Sequence, residues 1–263
     1  MRRPPVNLLP AGLAARMTNL VLSLIVPATL LIGWEAAAAG GYIDEGAFSR
    51  PSSIARAGIA AILDGSLLTA TLQTLQAAGL GLLVGAVTGA VLGVFLGLQP
   101  MAEIATRPTV EMLRAIPAIA FTPLALLVFG FGLALQMVIV AYATAWPVMV
   151  AALAATRGID RRLLEVADVL EMGLARRLRV IILPAVFGRI VVGLRTAMGF
   201  ALVVSVTVEI LANPRGLGYQ LILAQQSFRP DLMYACIVWL AGLGAAAGAL
   251  SNLLNRFSTE MAR

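Results

Sequence analysis

The residues able to do chemistry are few, and their types are restrictive. The 263-residue chain has no histidine and one cysteine, Cys236. That removes an internal disulfide, a zinc site of His/Cys type, histidine-held haem and any Ser-His or Cys-His catalytic pair. What remains is charge. All nineteen basic residues are arginines, set against thirteen acids. Six of those arginines and four of the acids fall in one stretch, Arg157 to Pro184, between apolar runs long enough to cross a membrane. Such a segment is too costly for hydrocarbon and must lie in water on one side. Its charged and apolar residues alternate with helical spacing, which predicts a helix over Ile159–Met172 with Asp160 near its start. Leu163, Leu164, Ala167, Leu170 and Glu171 cluster on it, leaving Arg161, Arg162, Glu165 and Asp168 on wetter faces. Gly173 then turns the chain, and Arg176, Arg177 and Arg179 stand at the next membrane-crossing helix. This pattern fits a docking element for a soluble partner, centred on Arg162, Glu165, Ala167, Asp168, Glu171 and Gly173. An ordinary loop rich in cytoplasmic arginines explains the charge but not the helix–turn–helix spacing.

Three further charges sit within apolar runs: Arg114, Arg195 and Glu209. Intramembrane charge marks a solute pathway or a structural ion pair. Glu111 and Arg114 are one turn apart and can pair. Arg195 lies about 16 Å into its span, where a guanidinium can attract an anion, or pair with a carboxylate such as Glu111 or with carbonyls. Glu209, near the outer end, is placed to latch to Arg215 or to the segment that follows. Phe121 and Met198 are pathway candidates for which helix packing is the rival explanation.

The elements that must position these residues follow from composition. The chain is 60% hydrophobic and 12% charged, against about 25% charged in soluble domains, which indicates an all-α integral membrane protein. Residues 1–17, with Arg2, Arg3, Arg16 and three prolines, read as an arm. A first transmembrane helix follows over 18–39; a secretory signal peptide has a similar pattern, but this run is long enough to span and carries Trp34 at its far end. Residues 40–66 are polar, and Pro51-Ser52-Ser53 starts a short surface helix with an apolar stripe of Ile54, Gly58 and Ile62, flanked by Ile59 and Leu63. The core, 67–256, holds five more spans. Gly81, Gly85, Gly89, Gly93 and Gly97 line one face of the second span and permit close helix approach. After a hydrophilic turn at 99–107, Pro117 and Pro123 break or kink the third span. Residues 212–230 are too polar to cross and too apolar for a free loop, so a partly re-entrant hairpin is expected. Residues 257–263 form the tail. Six spans put both ends on one face; the 99–107 turn, the 157–184 stretch and the ends hold most loop arginines, which makes that face cytoplasmic.

The cytoplasmic stretch resembles that of the membrane permeases of binding-protein-dependent ABC importers. Their motif runs Glu-Ala-Ala, three residues, Gly, nine residues, Ile, one residue, Leu-Pro. Here Glu165-Val166-Ala167, Ile181, Leu183 and Pro184 stand at matching offsets, with Val166 for the second residue and Glu171 for the glycine; Gly173, two residues on, is a substitute for the turn. Leu113-Arg114-Ala115-Ile116-Pro117, Gly193-Leu194-Arg195, Glu209-Ile210-Leu211 and Gly216-Leu217-Gly218-Tyr219 are similar to the nitrate/sulfonate/taurine branch. The resemblance implies the type I ABC importer permease fold with six transmembrane helices in a bacterial cytoplasmic (inner) membrane, both termini cytoplasmic. It implies a homodimeric pore, two cytoplasmic ATPase subunits gripping the 157–184 loop, and a periplasmic or lipid-anchored solute-binding protein. The chain itself is then not catalytic and holds no cofactor, ATP and Mg being bound by the ATPases; it has no phosphate-binding loop of its own. A nucleic-acid partner is not implied. The solute class is small and anionic, such as a sulfonate, taurine, nitrate, bicarbonate or an aromatic acid. The alternative from another class is an ion-coupled secondary transporter, which calls for intramembrane carboxylates and internal repeats.

Overall fold

The computed structural model describes residues 13–43, 46 and 48–261, the side chains of 13–21, 23–24 and 252–261 excepted. Most of the N-terminal arm, Asp44, Glu45, Ala47 and the last two tail residues lie outside this set. Among the described residues the secondary structure is entirely helical. α1 (Leu13–Ala39) is followed by α2 (Pro51–Leu63), α3 (Ser66–Leu98), α4 (Pro100–Ala115), a 3-10 turn (Ala118–Phe121), α5 (Thr122–Phe129), α6 (Leu133–Arg157) and α7 (Arg161–Val169). Then come α8 (Leu174–Arg177), a π turn (Leu178–Ile182), α9 (Leu183–Leu211), α10 (Leu217–Gln226) and α11 (Pro230–Met261).

α3, α6 and α9 form the centre. The glycines of α3 lie on α6 in parallel register: Gly81 meets Val140, Gly85 Thr144, Gly89 Ala145, Gly93 Ala152 and Gly97 Thr156. A Cβ at Gly85 or Gly89 would overlap the opposing hydroxyl or backbone carbonyl. Backbones this close gain dispersion contacts, which is what drives helix association where lipid is as apolar as the side chains. α9 runs back across the pair, with Gly193 against Pro147, Val148 and Ala151. Two apolar clusters seal it. One gathers Leu135, Ile139, Val140, Ala201 and Val208; the other, at the arginine-rich end, joins Ala155, Ile182 and Val186. A third cluster, around Leu67, Ala70, Leu217 and Cys236, attaches α10 and α11.

Among the described residues four helices are long and apolar enough to cross a membrane, and α4 with the Ala118–Phe129 segment, bent by 86°, makes a fifth if the pair is counted as one span. The outward surface is apolar: Leu72 is 69% exposed, Val91 63% and Leu127 85%. That pattern is wrong for water and right for lipid or a partner helix.

Several boundaries differ from expectation. α1 begins at Leu13, so five residues assigned to the arm are helical. The 99–107 turn is helical from Pro100, because proline's fixed φ suits the first helical position. α2 buries Ile54, Ala57 and Ala61, while Ile59 and Leu63 point away. The expected stripe is rotated because α2 packs on α11, with Gly58 against Ala235, instead of resting on a membrane surface alone. α8, the π turn and α9 form one unbroken 38-residue helix from Leu174 to Leu211.

Candidate functional site

The arginine-rich elbow is built locally. The Asp160 carboxylate accepts from the Arg162 N–H at 2.9 Å and caps α7, satisfying one of the donors a helix start leaves bare. α7 ends in a left-handed turn: Met172 N–H donates to the Ala167 carbonyl at 2.9 Å and Glu171 N–H to Asp168 at 3.0 Å. This crossed pair is the Schellman arrangement, whose pivot residue is usually glycine. Here the pivot is Glu171, at φ 47°. The expectation that Gly173 supplies the turn is therefore corrected: Gly173 is extended, φ −60°, ψ 152°, and caps α8. Arg177 reaches back to Asp168 at 2.8 Å and braces the two arms. The Arg161–Glu165 contact, 3.5 Å and largely in water, contributes little. Beyond the elbow the helix widens into the π turn directly ahead of Pro184, which has no N–H to return to Val180.

Of the docking residues named from sequence, Arg162, Glu165, Asp168, Glu171 and Gly173 are exposed. Ala167 is 1% exposed and lies inside the elbow. The apolar side chains facing out are Leu163, Val166, Val169 and Leu170, from 50% to 83% exposed. Val169 was not singled out in the sequence, and Val166 only as a departure from the motif, because a valine beside charged residues carries no docking signal until the helix phase is known.

At the opposite end of the spans Glu209 is buried, 1% exposed, and every neighbour donates to it. Gln136 Nε2 lies 2.7 Å from one carboxylate oxygen; the Thr74 hydroxyl (3.0 Å) and the Gly218 N–H (2.9 Å) share the other. The Thr74 hydroxyl in turn accepts from Leu217 N–H, and Gln73 accepts from Gly216 N–H. Asn213 donates to Gln136 at 2.7 Å and accepts from Gly132 N–H. Glu209 thus ties α9 to the start of α10, directly through the Gly218 N–H and, by way of the Thr74 hydroxyl, through the Leu217 N–H. Gly216, at φ 90°, is needed there, since a Cβ would overlap the carboxyl group. Gln136 and Asn213 were missed; a glutamine inside an apolar run was the available signal.

The third group is the broken span. Glu111 pairs with Arg107 at 3.0 Å, not with Arg114, because four-residue spacing aligns the side chains better than three here. Glu103 is 7% exposed and pairs with Arg157 at 2.6 Å, fixing the start of α4 to the end of α6. At the other end of α4 the Tyr142 hydroxyl donates to the Leu113 carbonyl. Phe121 packs edge-on to Tyr142, centroids 4.9 Å apart, and Tyr142 to Trp146 at 5.3 Å. Arg195 is exposed on α9, and Met198 borders a cavity of about 300 Å³ between α3, α9 and α11. Neither is brought into the Glu209 cluster or the elbow.

Residues 81–259 match the family described as binding-protein-dependent transport system inner membrane component. The putative aliphatic sulfonates transport permease SsuC of Bacillus subtilis is 30% identical over 89% of this chain and 84% of its own. The taurine transport system permease TauC of Escherichia coli is 28% identical over 70% and 67%. Among solved structures, the inward-facing MetNI methionine ABC transporter superposes with a TM-score of 0.62 at 18% identity, covering 71% of this chain and 93% of that one. An amino acid ABC transporter superposes at 0.59 and 18%, covering 75% and 97%. Fold, span pattern and family match agree: the chain belongs to the binding-protein-dependent inner membrane components and is a permease subunit of an ABC importer, with sulfonate and taurine permeases among its relatives.

Proposed function

We propose that two copies of this chain form the pathway by which a small organic anion, of sulfonate or taurine type, is imported across a bacterial inner membrane. The step is driven by ATP hydrolysis on two cytoplasmic ABC ATPase subunits, which hold ATP and Mg, while a solute-binding protein delivers the anion to the other face. In this reading both termini lie with the α7 elbow on the cytoplasmic side, which the arginine distribution supports. The observation carrying this reading is the elbow itself. It presents Leu163, Val166, Val169 and Leu170 to water on a helix capped by Asp160 and braced by Asp168–Arg177. An apolar ridge held that firmly in a charged surround is what a groove on a partner would take up. Rocking of the ATPases would pass through α7 and the continuous helix from Leu174 to the pathway, alternating its access.

The test is Val166→Arg in the complex of permease, ATPase and binding protein. A charge in the centre of an apolar interface costs about 2 kcal/mol or more, so binding-protein-stimulated ATP hydrolysis should fall more than tenfold while the permease remains folded. Ala167→Arg is the inferior probe, since it breaks the elbow from inside. Wild-type stimulation in Val166→Arg would remove α7 as the docking element.

A further inference from the structure

We infer that Arg114, at the break of the third span, is the cationic contact for the anion within the pathway. This rests on the permease reading above and names the residue that meets the charge.

Depth comes first. Leu113 is hydrogen-bonded to Tyr142, which lies fifteen residues from the Arg157 end of α6 and nine from Leu133. At 1.5 Å per residue that is ~22 Å and ~14 Å from the two ends of a membrane-crossing helix. The start of α4 is tied to the Arg157 end through Glu103. α4 therefore climbs from the cytoplasmic boundary to mid-membrane instead of lying flat on the surface.

Charge comes second. Arg107 is neutralised by Glu111. Among the described residues Arg114 has no ion pair or hydrogen bond, and it is exposed. A lone guanidinium at this depth cannot face lipid.

The backbone comes third. Ile116 and Pro117 are extended, ψ 123° and 127°, so the last carbonyls of α4 and the first amides of the next turn lack helical partners. Arg114, Ala115, Ile116 and Pro117 are all exposed. Non-helical backbone at membrane depth persists only inside protein or beside water, and nothing among the described residues covers it. The three observations point to a hydrated cavity with one uncompensated positive charge. A sulfonate or carboxylate offers that guanidinium two oxygens in its own plane.

The experiment needs no knowledge of the natural solute. Cys236 is fully buried, so Ala115→Cys places the one accessible thiol of the permease chain beside Arg114. The whole complex, in membrane vesicles open to the cytoplasmic side, is treated with sulfonatoethyl methanethiosulfonate, an anion, or methyl methanethiosulfonate, which is neutral. Labelling is read as a mass shift of the permease. The sulfonate reagent should gain about tenfold over the neutral one from the local charge. That advantage should vanish with Arg114→Gln and survive with Arg114→Lys. An unchanged ratio in Arg114→Gln, or no reaction with either reagent, overturns the site. Ile116→Cys serves as reporter if Ala115→Cys fails to assemble. ATPase stimulation on the same vesicles separates the two readings: a wild-type complex without stimulation counts against the permease reading, whereas full stimulation with a charge-blind reporter counts against Arg114 alone.

Discussion

Glu171 occupies a backbone conformation that costs an ordinary L-residue about 1–2 kcal/mol, and it does so at the pivot of the elbow. Glycine would adopt it freely, losing part of the gain to its more flexible unfolded chain. Glu171→Gly should therefore stabilise the elbow by about 1 kcal/mol, slowing amide exchange across α7 about fivefold with little change in global melting. A β-branched Glu171→Val should do the reverse. Unaltered exchange in both would show that the turn is set by the Asp168–Arg177 brace instead of by the pivot. Glu209 is the contrasting case. Its backbone is regular, and its constraint lies in the side chain, where Gln136 holds one carboxylate oxygen and Thr74 and Gly218 hold the other.

Among the elements, the α3–α6 seam carries the sharpest steric demand. Gly89→Val would drive a side chain into the backbone of Ala145. Overpacking of this kind costs about 3 kcal/mol, so the purified permease should melt at a markedly lower temperature, while Gly79→Val, which meets open space, should not. Equal melting points would mean that the helices slide to accommodate the branch. This seam was legible beforehand because a four-residue glycine repeat has one structural use on an apolar helix. The elbow was legible for a similar reason, its cap and proline being local, although its turn pivots on Glu171 and not on Gly173. The rotation of α2 and the partners of Glu209 were not. Each depends on a contact between helices whose relative phase no local pattern encodes: Thr74 and Gln136 reach Glu209 across 135 and 73 residues.

At the scale of the whole molecule, the isolated chain is unfinished. Only 11% to 39% of the most apolar window in each long span is buried, which leaves apolar faces bare. A second copy is the expected cover. Native mass spectrometry from mild detergent should give a permease of about twice 27.5 kDa; a monomer persisting in the assembled complex would contradict the two-copy pathway. The glycine seam also has a mechanical meaning. Five contacts at four-residue intervals, with no side chain contributed by α3, leave α3 and α6 no room to shear. They can only move as a single strut. Any opening of one end of the path must swing that strut whole, and the compliance has to come from elsewhere: the Ile116–Pro117 break and the π turn before Pro184. Spin labels or fluorophores placed on α3 and α6 would keep a fixed separation through the transport cycle.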